Sequence, residues 1–203
     1  MKIIAIGRNY AAHAKELNNP VPGKPVIFLK PDTALLKDNK PFYIPEFSNN
    51  IHFELEVVLK VSKEGKHIAE KFASKYYEEI GIGIDFTARD IQAEHKEKGL
   101  PWELAKAFDN SAAMSEFVSK DEFADLKNLN FELKINEEIR QKGNTSFMLF
   151  SYDYIISFVS QYITLKKGDL VFTGTPEGVG QVHPGDKLQG TLAGRELLNF
   201  EIK

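Results

Sequence analysis

The sequence predicts an α+β domain in which strands predominate. Two kinds of periodicity alternate along the 203 residues, a two-residue alternation and a helical repeat, without an internal repeat or a low-complexity segment. Short segments rich in Val, Ile, Phe and Leu, bounded by Gly, Pro, Asn or Asp, outnumber the helical segments. At roughly 150 residues per domain, the length favours a single domain over residues 1–203.

The N-terminal elements are justified in chain order by their own residues. The apolar run over residues 2–6 ends at Arg8 before it reaches the length of a secretory segment, so it predicts a buried first strand. A helical repeat follows over residues 10–17. Residues 18–25 then combine turn formers with prolines, which predicts that the first helix is a mobile flap.

The remaining elements follow from the same two patterns. The predicted strands lie at residues 2–6, 26–29, 54–61, 80–85, 130–135, 169–173, 187–192 and 197–202. The predicted helices lie at residues 10–17, 68–78, 87–98 and 152–162, with Ser151 as the N-cap of the last. Residues 173–180 form a glycine-rich turn whose amides can approach an anion, without the spacing of a P-loop.

Composition excludes several function classes. Lys and Arg number 26 against 29 Asp and Glu, so the chain lacks the basic excess of a general nucleic-acid-binding protein. With no cysteine, it has no thiolate nucleophile and no sulfur ligand, so any metal must be held by oxygen or imidazole. No stretch approaches 18 consecutive apolar residues, so we expect no membrane partner and a cytoplasmic location.

Two carboxylates open an apolar strand. Glu54 and Glu56 are two residues apart and therefore project from the same face. Two like charges at that distance need a cation, a shared proton or full solvation. A solvated strand face is the alternative interpretation, and it stays open on this motif alone.

A third carboxylate ends a nearly continuous apolar strand. Asp85 closes residues 80–85, and an acid at the end of a buried strand is costly unless it has a partner. With Glu54 and Glu56 it would complete an oxygen cage suited to Mg²⁺ or Mn²⁺. The alternative role for Asp85 is to cap the following helix.

The first helix carries a polar pair. His13 and Glu16 are three residues apart and lie on one helix face. They form either a surface contact or a general base with the carboxylate that orients it. Arg8, just ahead of the helix, holds either the loop or an anion.

Taken together and in order, these motifs resemble the fumarylacetoacetate hydrolase family. The motifs are Gly7-Arg8-Asn9-Tyr10, His13 with Glu16, Phe28-Leu29-Lys30-Pro31, Glu54-Leu55-Glu56, Thr87-Ala88-Arg89-Asp90-Ile91-Gln92 and Thr173-Gly174-Thr175-Pro176. The stretch over residues 98–106 is similar to the acylpyruvase branch, which includes acylpyruvate hydrolases with oxaloacetate decarboxylase activity.

The resemblance implies a fold and a set of residue roles. The fold is a predominantly β, mixed β-sandwich roll with peripheral helices, usually a homodimer, whose His-bearing segment is a lid over the ligand. Glu54, Glu56 and Asp85 are implied to bind Mg²⁺ or Mn²⁺, and His13 with Glu16 to activate water. The residues implied to contact the substrate or an oxyanion are Lys30, Arg89, Gln92, Lys106 and Thr175, and Arg8 is expected to bind the substrate with them.

The implied function is metal-dependent hydrolysis of the C–C bond of 3-acylpyruvates, with a 2-keto acid as the small-molecule partner. Oxaloacetate decarboxylation and isomerisation of 2-hydroxyhepta-2,4-diene-1,7-dioate use the same chemistry and stay open as alternatives. A non-catalytic protein that binds a metal or a 2-keto acid is a further alternative.

Other tempting residues have structural interpretations. The remaining histidines are expected at the surface or in local hydrogen bonds, with His52 close enough to the ligand strand to support it; they are His52, His67, His95 and His183. Trp102 is expected to be a packing anchor. Residues 94–98 are expected to form a solvated helix face.

Overall fold

The computed structural model describes residues 1–17 and 19–203. Asn18, the first residue of the predicted flap segment, lies outside the described residues. The strands, in chain order, are β1 (Ile3–Gly7), β2 (Val26–Lys30), β3 (Leu35–Leu36), β4 (Ile51–Phe53), β5 (Leu55–Val61), β6 (Tyr77–Asp85), β7 (Thr87–Ala88), β8 (Ala112–Met114), β9 (Val118–Ser119), β10 (Asn130–Ile135), β11 (Glu138–Asn144), β12 (Leu170–Phe172), β13 (Gly180–Gln181), β14 (Lys187–Leu192) and β15 (Arg195–Glu201).

The helices are short and lie outside the sheets. They are α1 (Ala11–Glu16), α2 (Glu70–Ala73), α3 (Arg89–Lys98), α4 (Glu103–Lys106) and α5 (Tyr152–Tyr162). Ser151 caps α5 as predicted, because its Oγ accepts a hydrogen bond from Tyr154 N at 3.2 Å. In the part of the chain that the structure describes, no helix is both long and apolar enough to cross a membrane.

The largest sheet has the strand order β2-β1-β12-β5-β6-β8-β3, with β9 beside β6. Its centre is β5, which lies between antiparallel β12 and β6. Because both faces of β5 are covered, every side chain in it except Lys60 is buried. The acidic residues predicted to bind metal therefore lie at the end of a rigid, fully packed strand pair.

Two smaller sheets complete the roll. A four-stranded sheet, β11-β10-β14-β15, packs across the large one, and a three-stranded sheet, β13-β4-β7, closes one end. One continuous core joins them, with Leu133 and Leu188 from the second sheet and Ile82 from the first all fully buried. The predicted α+β, predominantly β roll with peripheral helices is confirmed.

All eight predicted strands are present, two with the predicted bounds and six with shifted ends, but two predicted helices are wrong in extent. Residues 68–78 contain only α2, because the backbone from Tyr77 onward pairs with β5, where Lys60 faces Glu79. Residues 87–88 form β7 instead of starting α3, because they pair with Ile51 and His52 of β4. In both places long-range strand pairing overrides the local helical pattern.

Close packing around Gly83, beside the candidate site, leaves no room for a larger residue at that position. Gly83 of β6 is paired with Glu56 of β5. A Cβ atom added there would lie 2.7 Å from the ring of Phe172 and 3.0 Å from Ala113 O. Neither group can retreat, because both residues are buried in the large sheet.

We predict that Gly83→Ala destabilises the protein by about 1–3 kcal/mol through overpacking. Differential scanning calorimetry would measure this as a lowered Tm. Gly23→Ala is the matched control, because a Cβ atom added at Gly23 would have nothing within 4 Å of it. Equal melting temperatures for the two variants would contradict the packing described for β6.

Candidate metal centre and active-site cleft

Three carboxylates meet where β5 and β6 pair. Glu54 stands in the break between β4 and β5, Glu56 lies within β5, and Asp85 ends β6. The register places Leu55 opposite Ile84, and Asp85 N donates a 2.8 Å hydrogen bond to Glu54 O. As a result, one carboxylate oxygen from each acid lies within 4.8 Å of the others, and all three side chains are buried.

Lys106, from α4, compensates two of these carboxylates. Its Nζ lies 2.7 Å from Glu54 Oε2, 2.8 Å from Asp85 Oδ2 and 2.5 Å from Thr87 Oγ1. Burial alone lowers the pKa of Lys106, but Asp85 and Glu54 outweigh that effect and raise the pKa above its ordinary value. The ammonium group is therefore charged, and its three N–H donors are all taken.

Two more cations pair with the same two carboxylates. Lys30 Nζ lies 2.7 Å from Asp85 Oδ1 and donates a hydrogen bond to Ser111 Oγ at 2.9 Å. Arg89 Nη2 lies 2.5 Å from Glu54 Oε1. Burial raises the pKa of Glu54, but Lys106 and Arg89 together hold it well below its ordinary value.

Glu56 is the carboxylate that these cations leave uncompensated. Within residues 1–17 and 19–203, no lysine or arginine pairs with it, and Gly174 N donates its hydrogen bond at 2.6 Å. Burial, then Asp85 and Glu54, raise the pKa of Glu56 well above its ordinary value. The three acids thus fit one further cation, and their oxygen-only donors suit a hard divalent ion.

The predicted His–Glu pair lies at the edge of this centre. His13 Nδ1 is 3.0 Å from Glu16 Oε2, and the ring is only 5% exposed. Glu16 Oε1 accepts a 2.9 Å hydrogen bond from Gly178 N, which ties α1 to the glycine-rich turn. Since Nδ1 is engaged by Glu16, Nε2 is the ring nitrogen available for proton transfer.

A single cleft brings together most of the predicted site. The predicted residues in its wall are Arg8, His13, Glu54, Glu56, Asp85, Arg89, Gln92, Lys106 and Thr175. Glu16 and Lys30 stand outside that wall, against His13 and Asp85 respectively. The roles assigned to these residues stay predictions.

The donors of the cleft differ in their freedom to meet a ligand. An oxyanion contact from Lys106 would require release of one of its three present partners. The Gln92 amide can donate to a ligand without releasing a present partner in the described part of the chain. Its Oε1 accepts a hydrogen bond from Arg89 Nη1 at 2.5 Å, and this bond orients the amide nitrogen as a donor. Thr175 Oγ1 accepts from Gln141 Nε2 at 2.9 Å, so its hydroxyl proton is free to donate.

Sequence reasoning missed two buried amides that position the site. Gln141 of β11 accepts from Leu55 N at 2.8 Å and donates to Thr175 and Pro176. Asn9 donates to Thr173 O at 2.7 Å and accepts from Phe150 N at 2.7 Å. Asn9 belongs to a motif of the resemblance, whereas no pattern around Gln141 distinguishes it from its polar neighbours.

The structure extends three other sequence interpretations. Trp102 is part of the cleft wall as well as a packing residue, with Arg8 Cζ 6.0 Å from its ring centroid and Phe28 5.8 Å away. Lys96 is exposed, as expected for residues 94–98, and it also lines the cleft. Burial, followed by the positive charge of Arg89, lowers the pKa of His52 to about 4, so this half-buried ring is neutral beside Glu54.

A mostly β roll that encloses a carboxylate cage, with a His–Glu pair at its edge, defines a class of enzymes. A family model described as fumarylacetoacetate (FAA) hydrolase C-terminal matches residues 2–201. The chain therefore belongs to the fumarylacetoacetate hydrolase family and is an enzyme of that superfamily.

Known relatives and a solved structure resemble the chain over nearly its whole length. Mouse oxaloacetate tautomerase FAHD1, mitochondrial, is 44% identical over 99% of this chain and 91% of its own length. Oxaloacetate decarboxylase, mitochondrial, from Dictyostelium discoideum is 41% identical over 99% of this chain and 93% of its own length. Fumarylpyruvate hydrolase from Pseudomonas aeruginosa, crystallised with Mn²⁺ and pyruvate, has a TM-score of 0.94 and 33% identity, covering 100% of this chain and 89% of that one.

We predict that Mn²⁺ stabilises the wild-type protein and not Glu56→Gln, which removes one oxygen anion from the cage. At a free metal concentration 100 times Kd, binding to the folded state raises Tm by about 5–10 °C. Thermal denaturation with and without Mn²⁺ measures this shift. An undiminished shift in Glu56→Gln would place the metal elsewhere.

Without metal, wild-type protein and Glu56→Gln should differ in how their stability depends on pH. Folding raises the pKa of Glu56 above its ordinary value of 4.5, so the folded state binds the proton of this carboxyl group more tightly than the unfolded chain does. The stability that the wild-type protein gains from this proton is therefore complete at pH values below 4.5, and it is lost as the pH rises above 4.5. We expect metal-free Glu56→Gln to gain stability relative to wild type as pH rises from 5 to about 8.

Proposed function

We propose that the protein is a divalent-cation-dependent oxaloacetate tautomerase, which interconverts the enol and keto forms of that 2-keto acid. The observation that supports this most strongly is the joint presence of Glu56, an uncompensated buried carboxylate in an oxygen cage, and of His13, a buried base in the same cleft. The similarity to the mouse tautomerase and the Dictyostelium decarboxylase supports oxaloacetate as the substrate.

The charge of the site supports an anionic 2-keto acid as ligand. Glu54, Glu56 and Asp85 would hold the metal, while Lys30, Lys106 and Arg89 already balance them formally. When bound, a divalent cation supplies Lewis-acid polarisation and two positive charges, which match the two carboxylates of oxaloacetate. Either Mg²⁺ or Mn²⁺ satisfies this requirement.

Proton transfer falls to the residues of the cleft wall. His13 Nε2, with Nδ1 held by Glu16, removes a proton from C3 of the keto form and returns it in the opposite direction. The electron pair left at C3 forms the C2–C3 double bond as the C2 oxygen gains negative charge. A proton from water on that oxygen completes the enol, and His13 releases the proton that it took from C3. The Gln92 amide, oriented by Arg89, donates a hydrogen bond to that oxygen. Thr175 Oγ1 donates to the adjacent carboxylate.

Hydrolysis of 3-acylpyruvates is the second candidate. It is favoured by the likeness to the fumarylpyruvate hydrolase and by the His13–Glu16 pair, which can activate water as well as abstract a carbon-bound proton. His13 would then deprotonate a water that attacks the distal carbonyl. Cleavage of the C–C bond releases the enolate of pyruvate, which takes up a proton at C3.

Decarboxylation of oxaloacetate and isomerisation of 2-hydroxy-dienoates produce related enolates and stay open. Decarboxylation needs no attacking water and no proton abstraction at C3, so it would not depend on His13. A homodimeric state, a cytoplasmic location and the absence of nucleic-acid and membrane partners also stay proposals drawn from the sequence.

We predict that wild-type protein with Mg²⁺ accelerates loss of the enol absorbance of oxaloacetate, and that His13→Ala lowers kcat by about 10²–10⁴-fold. Parallel assays of pyruvate release from oxaloacetate, acetylpyruvate and fumarylpyruvate separate tautomerisation from decarboxylation and hydrolysis. Faster turnover of an acylpyruvate than of oxaloacetate would favour the second candidate over the first.

His183→Ala is the matched control, because this exposed histidine lies outside the cleft wall. It should keep wild-type turnover. His13→Ala should still show the Mn²⁺-dependent rise in Tm, which separates loss of the base from loss of the metal centre. Full tautomerase activity in His13→Ala would contradict the assignment of the base.

A further inference from the structure

One face of α3 is continuous with the cleft wall. Arg89, Gln92 and Lys96 are spaced i, i+3 and i+7, so their side chains form a single stripe, and all three line the cleft. Lys98 lies on a different face, where its Nζ pairs with Glu94 Oε1 at 2.6 Å. Lys96 therefore belongs to the site by position, although it lies beyond the residues that touch the carboxylate cage.

The cations of the cleft fall into two groups. The inner ones, including Arg89 and Lys106, are committed to Glu54 and Asp85. The outer ones are Arg8 and Lys96, and neither makes an ion pair with a carboxylate in residues 1–17 and 19–203.

Lys96 is exposed, and its amine has a neutral partner and two positively charged neighbours. Its Nζ donates a 2.8 Å hydrogen bond to Asn19 Oδ1. Burial lowers the pKa of Lys96, and the positive charges of Arg8 and Arg89 lower it further. Like charges held together in this way favour the binding of an anion, which relieves their repulsion.

Arg8 adds an independent observation. Its backbone has φ of 60°, in the left-handed region that non-glycine residues rarely adopt. The two buried hydrogen bonds of the next residue, Asn9, to Thr173 O and from Phe150 N fix the chain there. Strain of this kind persists where surrounding structure imposes it, and it holds the Arg8 guanidinium over the Trp102 ring at the cleft.

We propose that Arg8 and Lys96 form an outer anion subsite that binds the distal carboxylate of a 2-keto dicarboxylate. The inference rests on the proposed function, in which the 2-keto acid end of the ligand occupies the carboxylate cage. The distal end then points along the α3 stripe, away from the committed inner cations and towards the two free ones. The subsite selects dicarboxylates over 2-keto acids with an uncharged end.

Binding measurements with two non-reacting ligands test the subsite. Malate and lactate share a 2-hydroxy acid end, and malate adds the distal carboxylate. By isothermal titration calorimetry in Mg²⁺ buffer, wild-type protein should bind malate more tightly than lactate. Lys96→Met, which keeps the apolar stem, should raise the Kd of malate roughly tenfold and leave that of lactate unchanged.

Lys98→Met is the matched control for a general loss of positive charge, and it should leave both Kd values unchanged. Equal effects of Lys96→Met and Lys98→Met on malate would overturn the proposal, as would equal effects of Lys96→Met on malate and lactate. Asn19→Ala removes the hydrogen-bond acceptor of Lys96 in the segment after α1. This variant should keep the preference for malate. Loss of that preference would show that Lys96 acts by holding Asn19 and not by binding the ligand.

Turnover distinguishes failure of the subsite from failure of the proposed function. If wild-type protein converts oxaloacetate but the malate preference does not depend on Lys96, the function stands and the subsite is wrong. If the preference depends on Lys96 but oxaloacetate is not converted, the subsite stands and the proposed reaction is wrong.

Discussion

Neutralisation of three buried carboxylates is the constraint on which the rest of the structure depends. Glu54, Glu56 and Asp85 are at most 5% exposed, and unpaired charges at such burial cost several kcal/mol each. Their partners arrive from β2, α3 and α4, which are separate elements from the strands that carry the acids. These elements must therefore dock on β5 and β6 together, and the charge cluster fixes the shape of the cleft as well as its chemistry.

Because the carboxylates must be neutralised, the residues around the cleft have different roles. Because Lys30 and Lys106 are saturated by carboxylates and backbone oxygens, they position the cage rather than remain free for a ligand. Glu56 has no lysine or arginine partner among the described residues, and its raised pKa shows that its charge is favoured only when a further cation is bound. Recognition and proton transfer are left to side chains outside the cluster, of which Gln92 and His13 are the best placed.

Local sequence patterns predicted the three acidic residues. Elements and contacts that depend on long-range pairing were not predicted by such patterns. Alternation along a strand gave Glu54 and Glu56, and the end of an apolar run gave Asp85, because both signals are local. The docking of Lys106 depends on tertiary contacts that no local pattern encodes. Strand β11 was missed because its sequence is largely polar, although the Asn136-Glu137 turn before it has positive φ at both residues, as a tight hairpin requires. Helical spacing places Lys96 on the same face as Arg89 and Gln92. The charged residues on either side of Lys96 instead favoured the interpretation of a solvated helix face.

A crystal structure with Mn²⁺ and oxalate, which mimics the enolate of a 2-keto acid, tests the central claim most directly. We expect an anomalous scattering peak bound by oxygens of Glu54, Glu56 and Asp85, with oxalate between that peak and His13. Oxalate with Mn²⁺ at any other place, or a cage without the peak at a concentration that saturates the thermal shift, would contradict that claim.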